Sequence, residues 1–144
     1  MRQPPGTVVL DNEAVVALAE EHHPKHEAAL AILEVTNQRR SRGELVAVVV
    51  PVAVRVEAGW DRTSPRSANL NRLSRAKDVD LGTGAANRAA QLRTLVPGSS
   101  AVDATVAQAA ESAPHQPATI ATSDPGDFTR LASHLDKRVV IAKL

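Results

Sequence analysis

Short β-branched apolar runs recur along the chain, and most of them give way to residues with helical spacing. Thr7-Val8-Val9-Leu10 is apolar on both faces, the pattern of a strand that helices cover on both sides of a parallel sheet. Residues 12–20 then read as a helix broken near Pro24. A second helix follows to about residue 38, with Ala28, Ala29, Ile32, Leu33 and Val35 as its apolar face. After a turn at 41–43, residues 44–50 form a second buried strand, and Pro51 opens a helix that runs to Trp60 or slightly beyond. Residues 61–76 are polar and Arg-rich, with a short helix after Pro65. Residues 78–81 read as a short edge strand. Helices over 84–95 and 101–113 flank a break at 97–100. A strand at 118–122, a short helix opening at Asp127 and a last strand at 138–142 complete the chain. Alternating strands and helices predict an α/β fold with a mostly parallel sheet and right-handed crossovers.

Composition narrows the picture. At 144 residues the chain is long enough for a real core and is read as one domain over 1–144. Aromatic residues are 1%, so Ala, Val, Leu and Ile must build that core, and RNA modules that stack bases on aromatic platforms are excluded. The absence of Cys excludes disulfides, thiolate metal sites and a Cys nucleophile. Net charge is +1, but basic residues cluster at Arg39-Arg40-Arg42 and between Arg55 and Lys77. Such clusters are either solvated faces or phosphate contacts. Met1-Arg2-Gln3-Pro4-Pro5 lacks a signal-peptide core, and the longest apolar run, at 45–54, is too short to span a bilayer. A soluble cytoplasmic protein is expected.

Four acids stand out by their settings. Asp11 ends the first strand, where open α/β sheets place ligands, but it also suits a helix N-cap. Glu57 has Ala53, Val54, Trp60 and Asp61 at helical spacing, so its carboxylate is expected on a largely apolar face, in need of a partner or cation. Asp103 lies in Val102-Asp103-Ala104 with no cation near it in sequence; a place in a first helical turn is the alternative. Asp124 follows a strand and precedes Pro125-Gly126, which is also ordinary turn chemistry. Carboxylates about 4 Å apart repel by roughly 4 kcal/mol at an effective dielectric near 20, so a converging set implies a cation. Oxygen donors without His or Cys favour Mg²⁺ or Mn²⁺ over zinc.

The order Leu10-Asp11, Val56-Glu57, Val102-Asp103-Ala104 and Thr122-Ser123-Asp124-Pro125-Gly126-Asp127-Phe128 resembles the PIN domain, most closely VapC-type toxins of toxin–antitoxin pairs. The resemblance spans nearly the whole chain. It implies a three-layer α/β/α sandwich that cleaves RNA with Mg²⁺ or Mn²⁺, leaving a 5′-phosphate and a 3′-hydroxyl. It also implies a homodimer, inhibited by a small cognate DNA-binding antitoxin. By position, Asp11, Asp103 and Asp124 would hold the metal and Glu57 would join them or orient water; Asn12, Thr122 and Asp127 would be auxiliary. The chain departs from the pattern in having Glu13 where many members have Ser or Asn. Either Asn12 fills that role or Glu13 adds charge.

Arg55, Arg62, Arg66, Arg72 and Arg75 are the residues expected to steer an RNA backbone. Two other functions compete: a phosphorylatable receiver-type signalling domain with its own Mg²⁺-binding acids, and a PIN-like domain that binds RNA without cutting it. His22 and His26 have the spacing of a metal pair, but Pro24 interrupts any helix that would align them.

Overall fold

Strand β1, Gly6–Leu10, is the middle strand of the sheet. Its apolar residues on both faces suit only that place: Val9 and Leu10 are almost wholly buried. The computed structural model describes residues 6–144, so the expectation for residues 1–5 lies outside it. β2 (Val46–Pro51) and β4 (Ala118–Thr122) flank β1, with β3 (Lys77–Val79) and β5 (Val139–Lys143) at the edges. All four pairings are parallel, in the order β3-β2-β1-β4-β5.

Helices fill the crossovers. α1 (Asn12–Ala19) and α2 (His26–Ser41) join β1 to β2, and α3 (Val52–Ala58) and α4 (Ala68–Ser74) join β2 to β3. α5 (Thr83–Leu95) and α6 (Ala101–Glu111) return to β4, and α7 (Pro125–Ala132) leads to β5. Right-handed crossovers put α1 to α4 on one face and α5 to α7 on the other. α1 packs on α2, α3 and α4, and α6 on α5 and α7, while α3 also meets α6. No helix among the described residues is long and apolar enough to cross a membrane.

Several boundaries differ from the sequence reading, three of them beside β2, α3 and β3. Pro51 ends β2 and caps α3 rather than opening the helix, because its extended backbone (φ −62, ψ 139) continues the strand. It sits past Val49, the last β2 residue paired to β1, where its missing N–H leaves no gap in that ladder. α3 stops at Ala58, before Trp60, because Gly59 turns left-handed at φ 68. The edge strand begins one residue early, at Lys77, and ends at Val79. Trp60 is buried, with its Nε1–H on Asn71 Oδ1 at 2.8 Å and the Arg62 guanidinium 4.4 Å from its ring centroid. A second tie closes the other face. Arg88 on α5 grips Glu111 at the end of α6 with two bonds of 2.8 and 2.9 Å, and Glu111 also accepts the Asp136 N–H at 2.8 Å.

Candidate active site

The strand order reverses between β1 and β4: the chain leaves β1 toward β2 in one direction and returns to β4 on the other side. The crevice beyond the carboxyl ends of such neighbouring strands is where open α/β sheets bind ligands. Asp11 follows β1 and Asp124 follows β4 at this place. α6 runs back toward the start of β4, so its first turn brings Asp103 to the same end.

Asp11 is 5% exposed and caps α1, its Oδ1 accepting the Ala14 N–H at 2.8 Å. Burial pushes its carboxyl up to about 6; the Thr122 hydroxyl and the Ala14 amide oppose this, and the charges of Asp103 and Glu13 add to it. The capping reading and the cluster reading therefore both apply to one residue. Asp103, half-buried in the first turn of α6, is raised above its ordinary value first by burial, against a Ser100 hydrogen bond, and then by Asp127, Glu57 and Asp124. The mutual repulsion links Asp11, Glu13, Glu57, Asp103, Asp124 and Asp127 in one field of negative charge.

Glu57 corrects one expectation. Its carboxylate is exposed, and the neighbouring Val56 is 82% exposed, while Val54 and Trp60 face the core. No apolar burial demands a counter-ion for Glu57; what ties it to the site is its charge acting on Asp103. Asp124 is also exposed. It occupies the N-cap position of α7 but makes no side-chain cap bond, so the turn chemistry expected of it is unused and the carboxylate stays available. Its backbone N–H donates to Thr122 Oγ1 at 3.0 Å, and Thr122, fully buried, also faces Asp11. Thr122 thus fixes the two acid-bearing turns relative to each other. Asp127 pairs with Arg130 one turn along α7.

Asn12 supplies an independent sign. Its Oδ1 is buried and has no hydrogen-bond partner, an arrangement that normally carries a penalty of about 1–3 kcal/mol. An unused acceptor beside a buried carboxylate is what a cation or its water would satisfy. Among the described residues, no three Asp, Glu or His side chains converge tightly enough to form a ready-made cage. Mg²⁺ does not require such a cage, because it keeps several of its waters. The oxygen-only donor set fits the same ion.

The arginines divide. Arg55 and Arg62 both bind Asp78, each at 2.8 Å, and Arg62 also holds the Ala76 carbonyl at 2.8 Å, so they fasten α3 and the 59–62 turn to β3. Arg66, Arg72 and Arg75 are exposed. His22 and His26 do not align, because α1 ends at Ala19 and α2 starts at His26, whose Nδ1 bonds the Ala17 carbonyl at 2.7 Å. Sequence reasoning missed Ser100, which caps α6 by accepting the Asp103 N–H at 3.0 Å. Its spacing before an acid, Ser100-Ala101-Val102-Asp103, is the signal that a capping box gives. Cavities of about 380 and 500 Å³ lie beside Trp60 and in the groove between α1 and α4, away from Asp11 and Asp103.

A doubly wound α/β protein with acidic residues gathered at its switch point is the class that this fold and site define. No protein-family model matches the sequence, and no curated protein matches it. Solved structures do. A chain of the VapBC2 complex of Rickettsia felis, bound to a DNA fragment from its promoter, aligns at TM-score 0.60 and 16% identity, over 96% of this chain and 98% of that one. A chain of FitAcB from Neisseria gonorrhoeae aligns at 0.59 and 16%, over 92% and 96%. A chain of FitAB bound to an IR36 DNA fragment aligns at 0.56 and 17%, over 93% and 94%. The chain has the PIN-like fold that its sequence predicts.

Proposed function

We propose that this protein is a metal-dependent endoribonuclease, the toxin of a toxin–antitoxin pair. What supports the reading is the charge coupling of Asp11 to Asp103, and of Asp103 to Asp127, Glu57 and Asp124, beside two buried or half-buried carboxyls at the carboxyl ends of the strands. Asp11, Asp103 and Asp124 would hold Mg²⁺ or Mn²⁺, with the unpartnered Asn12 Oδ1 accepting from a bound water. Such an ion lowers the pKa of water and offsets charge on a phosphoryl group. Glu57, exposed and coupled by charge to Asp103, would accept a proton from the attacking water. Thr122 keeps the Asp11 and Asp124 turns in register. Ionised carboxylates repel phosphate, so productive RNA binding would need their charge to be offset.

The partners follow from the structural relatives. VapBC2 and FitAB are complexes that bind DNA, which supports a small DNA-binding antitoxin as the cognate inhibitor of this chain. A homodimer, as the resemblance implies, would cover exposed apolar side chains such as Val56. A receiver-type signalling domain is disfavoured by the strand order, because that class uses 2-1-3-4-5 and this sheet is β3-β2-β1-β4-β5.

The test is to incubate pure protein with total RNA, with Mg²⁺ or Mn²⁺ and with chelator, and to map new 5′ ends. Metal-dependent cuts that vanish in Asp103→Asn are expected. Intact RNA bound at every metal concentration would instead establish a PIN-like domain that binds without cutting.

A further inference from the structure

At the amino ends of the strands, opposite the carboxylates, two arginines from separate elements lie near enough to act on each other's charge. Arg40 lies in the last turn of α2, and its Nε donates to the Val46 carbonyl at 3.1 Å, at the first residue of β2. Arg75 follows α4 and stands two residues before Lys77, which pairs with Val49; the parallel register carries Arg75 back beside the first half of β2. Burial, and then the Arg75 charge, lower the Arg40 pKa. Their surroundings leave both charges uncompensated. Glu44 is occupied by Arg39 and Arg42, each at 3.3 Å, and among the described residues no carboxylate forms an ion pair with Arg40 or Arg75.

The backbone of Arg75 is a second, independent sign. It sits at φ 48, ψ 27, and it is the only non-glycine at positive φ among the described residues. The other left-handed turns use Gly43, Gly59 and Gly98. A large L-residue is disfavoured there relative to glycine. Edge-strand lysines such as Lys77 are commonly guards against sheet-to-sheet association, but guarding an edge does not call for a strained arginine beside another arginine. Strain of this kind collects at binding sites.

We propose that Arg40 and Arg75 form a phosphate-binding site for the RNA backbone, remote from the acidic crevice. Guanidinium forks match phosphate oxygens in geometry and charge. Exposed Arg72 and Lys77 extend the same edge, which suits a repeating phosphate chain better than a single anion. Trp60 and Phe128 are buried, so neither offers a ring for base stacking, which favours a grip through the backbone. β2 has six residues, about 20 Å at about 3.3 Å per residue, so this grip falls several nucleotides from the scissile bond. The identity of the anion rests on the ribonuclease reading; the existence of the site does not.

Arg75→Gly tests the proposal, since it removes the charge and relieves the backbone at once. Fluorescence anisotropy with a single-stranded oligoribonucleotide, in chelator so that nothing is cut, should show affinity several-fold weaker than wild type. The salt slope should flatten by about 0.7 for each phosphate that is no longer neutralised, while the melting temperature rises. Arg75→Lys, keeping the charge, should retain most of the slope. In parallel, inorganic pyrophosphate should raise the melting temperature of wild type above a chloride control of equal ionic strength, and should not do so for Arg75→Gly. Unchanged RNA affinity and slope in Arg75→Gly would overturn the proposal, and a pyrophosphate effect surviving alone would assign the pair to a small anion instead. Wild type that binds RNA through Arg75 yet never cuts it with Mg²⁺ would sink the nuclease reading and leave this site standing.

Discussion

Asp11→Asn should make the metal-free protein more stable while abolishing its activity. Asp11 is almost fully buried, and its carboxyl is displaced from 3.8 to about 6. At about 1.4 kcal/mol per tenfold change in proton affinity, the ionised folded state carries a penalty of about 3 kcal/mol. The sign follows from proton binding. Between 3.8 and about 6 the folded state holds a proton that the unfolded chain has released, so stability falls as pH rises through this window and stays low above it. Asn still accepts the Ala14 N–H and caps α1 about as well. The hydrogen bonds to the charged acceptor already enter the displaced value, opposing the burial. The expected net gain at pH 7.5 is therefore about 3 kcal/mol, or about 9 °C at about 3 °C per kcal/mol for a chain of this size. At pH 4 the two proteins should melt nearly together. Mg²⁺ should raise the melting temperature of wild type far more than that of the variant, because a ligand bound only by the folded state stabilises it in proportion to its affinity. Melting curves with chelator and with Mg²⁺ at both pH values, run beside an RNA cleavage assay, decide the matter. A variant that is less stable than wild type in chelator at pH 7.5 would refute the electrostatic account. Cleavage at the wild-type rate would refute the catalytic one.

Glu57→Gln should change stability by less than about 0.5 kcal/mol, since the residue is exposed, yet lower cleavage by at least about a hundredfold, as removal of a general base does; equal rates would take Glu57 out of the site. Glu111→Gln should cost about 1–3 kcal/mol by breaking the two-bond grip of Arg88, read as a lower urea midpoint. Arg88 holds the Glu111 carboxyl below its ordinary 4.5, so this contribution is present above that pH and is lost on acidification through the lower folded value, which the variant should not show. Light scattering should give a dimer mass for wild type, and Val56→Asp, altering a side chain that is 82% exposed, should yield a folded monomer; a wild-type monomer at micromolar concentration would count against dimerisation.

Much of the fold was legible because β1, β2 and β4 are apolar on both faces, and only a parallel sheet under two helical layers hides such strands. β3 was harder to place: as a three-residue edge strand it reads Lys-Asp-Val and carries no apolar period. Pro51 was ambiguous because its fixed φ serves both the end of a strand and the entrance to a helix. Among the acids, Asp11 was visible through its position after a buried strand. Periodicity misled at Glu57, since neighbours at helical spacing cannot say which side of a short helix meets solvent; Val56, though apolar, faces outward. The Arg40–Arg75 proximity was invisible, because it depends on β3 docking beside β2 and on a left-handed turn that no arginine announces in sequence.

The reversal of strand order has a consequence for when the acidic crevice can exist during synthesis. β1 finds β2 early, but its other neighbour is β4, which begins at residue 118, and the Asp124 turn comes later still. Synthesis runs from the amino end at about 5–20 residues per second, so for several seconds a growing chain holds Asp11 with one flank of β1 open. Thr122, which registers the Asp11 and Asp124 turns, has not yet been made. The crevice closes only when residues 118–127 have left the ribosome and docked. The crevice therefore cannot form on the first half of the sheet alone, and waits for β4 and the turn that follows it.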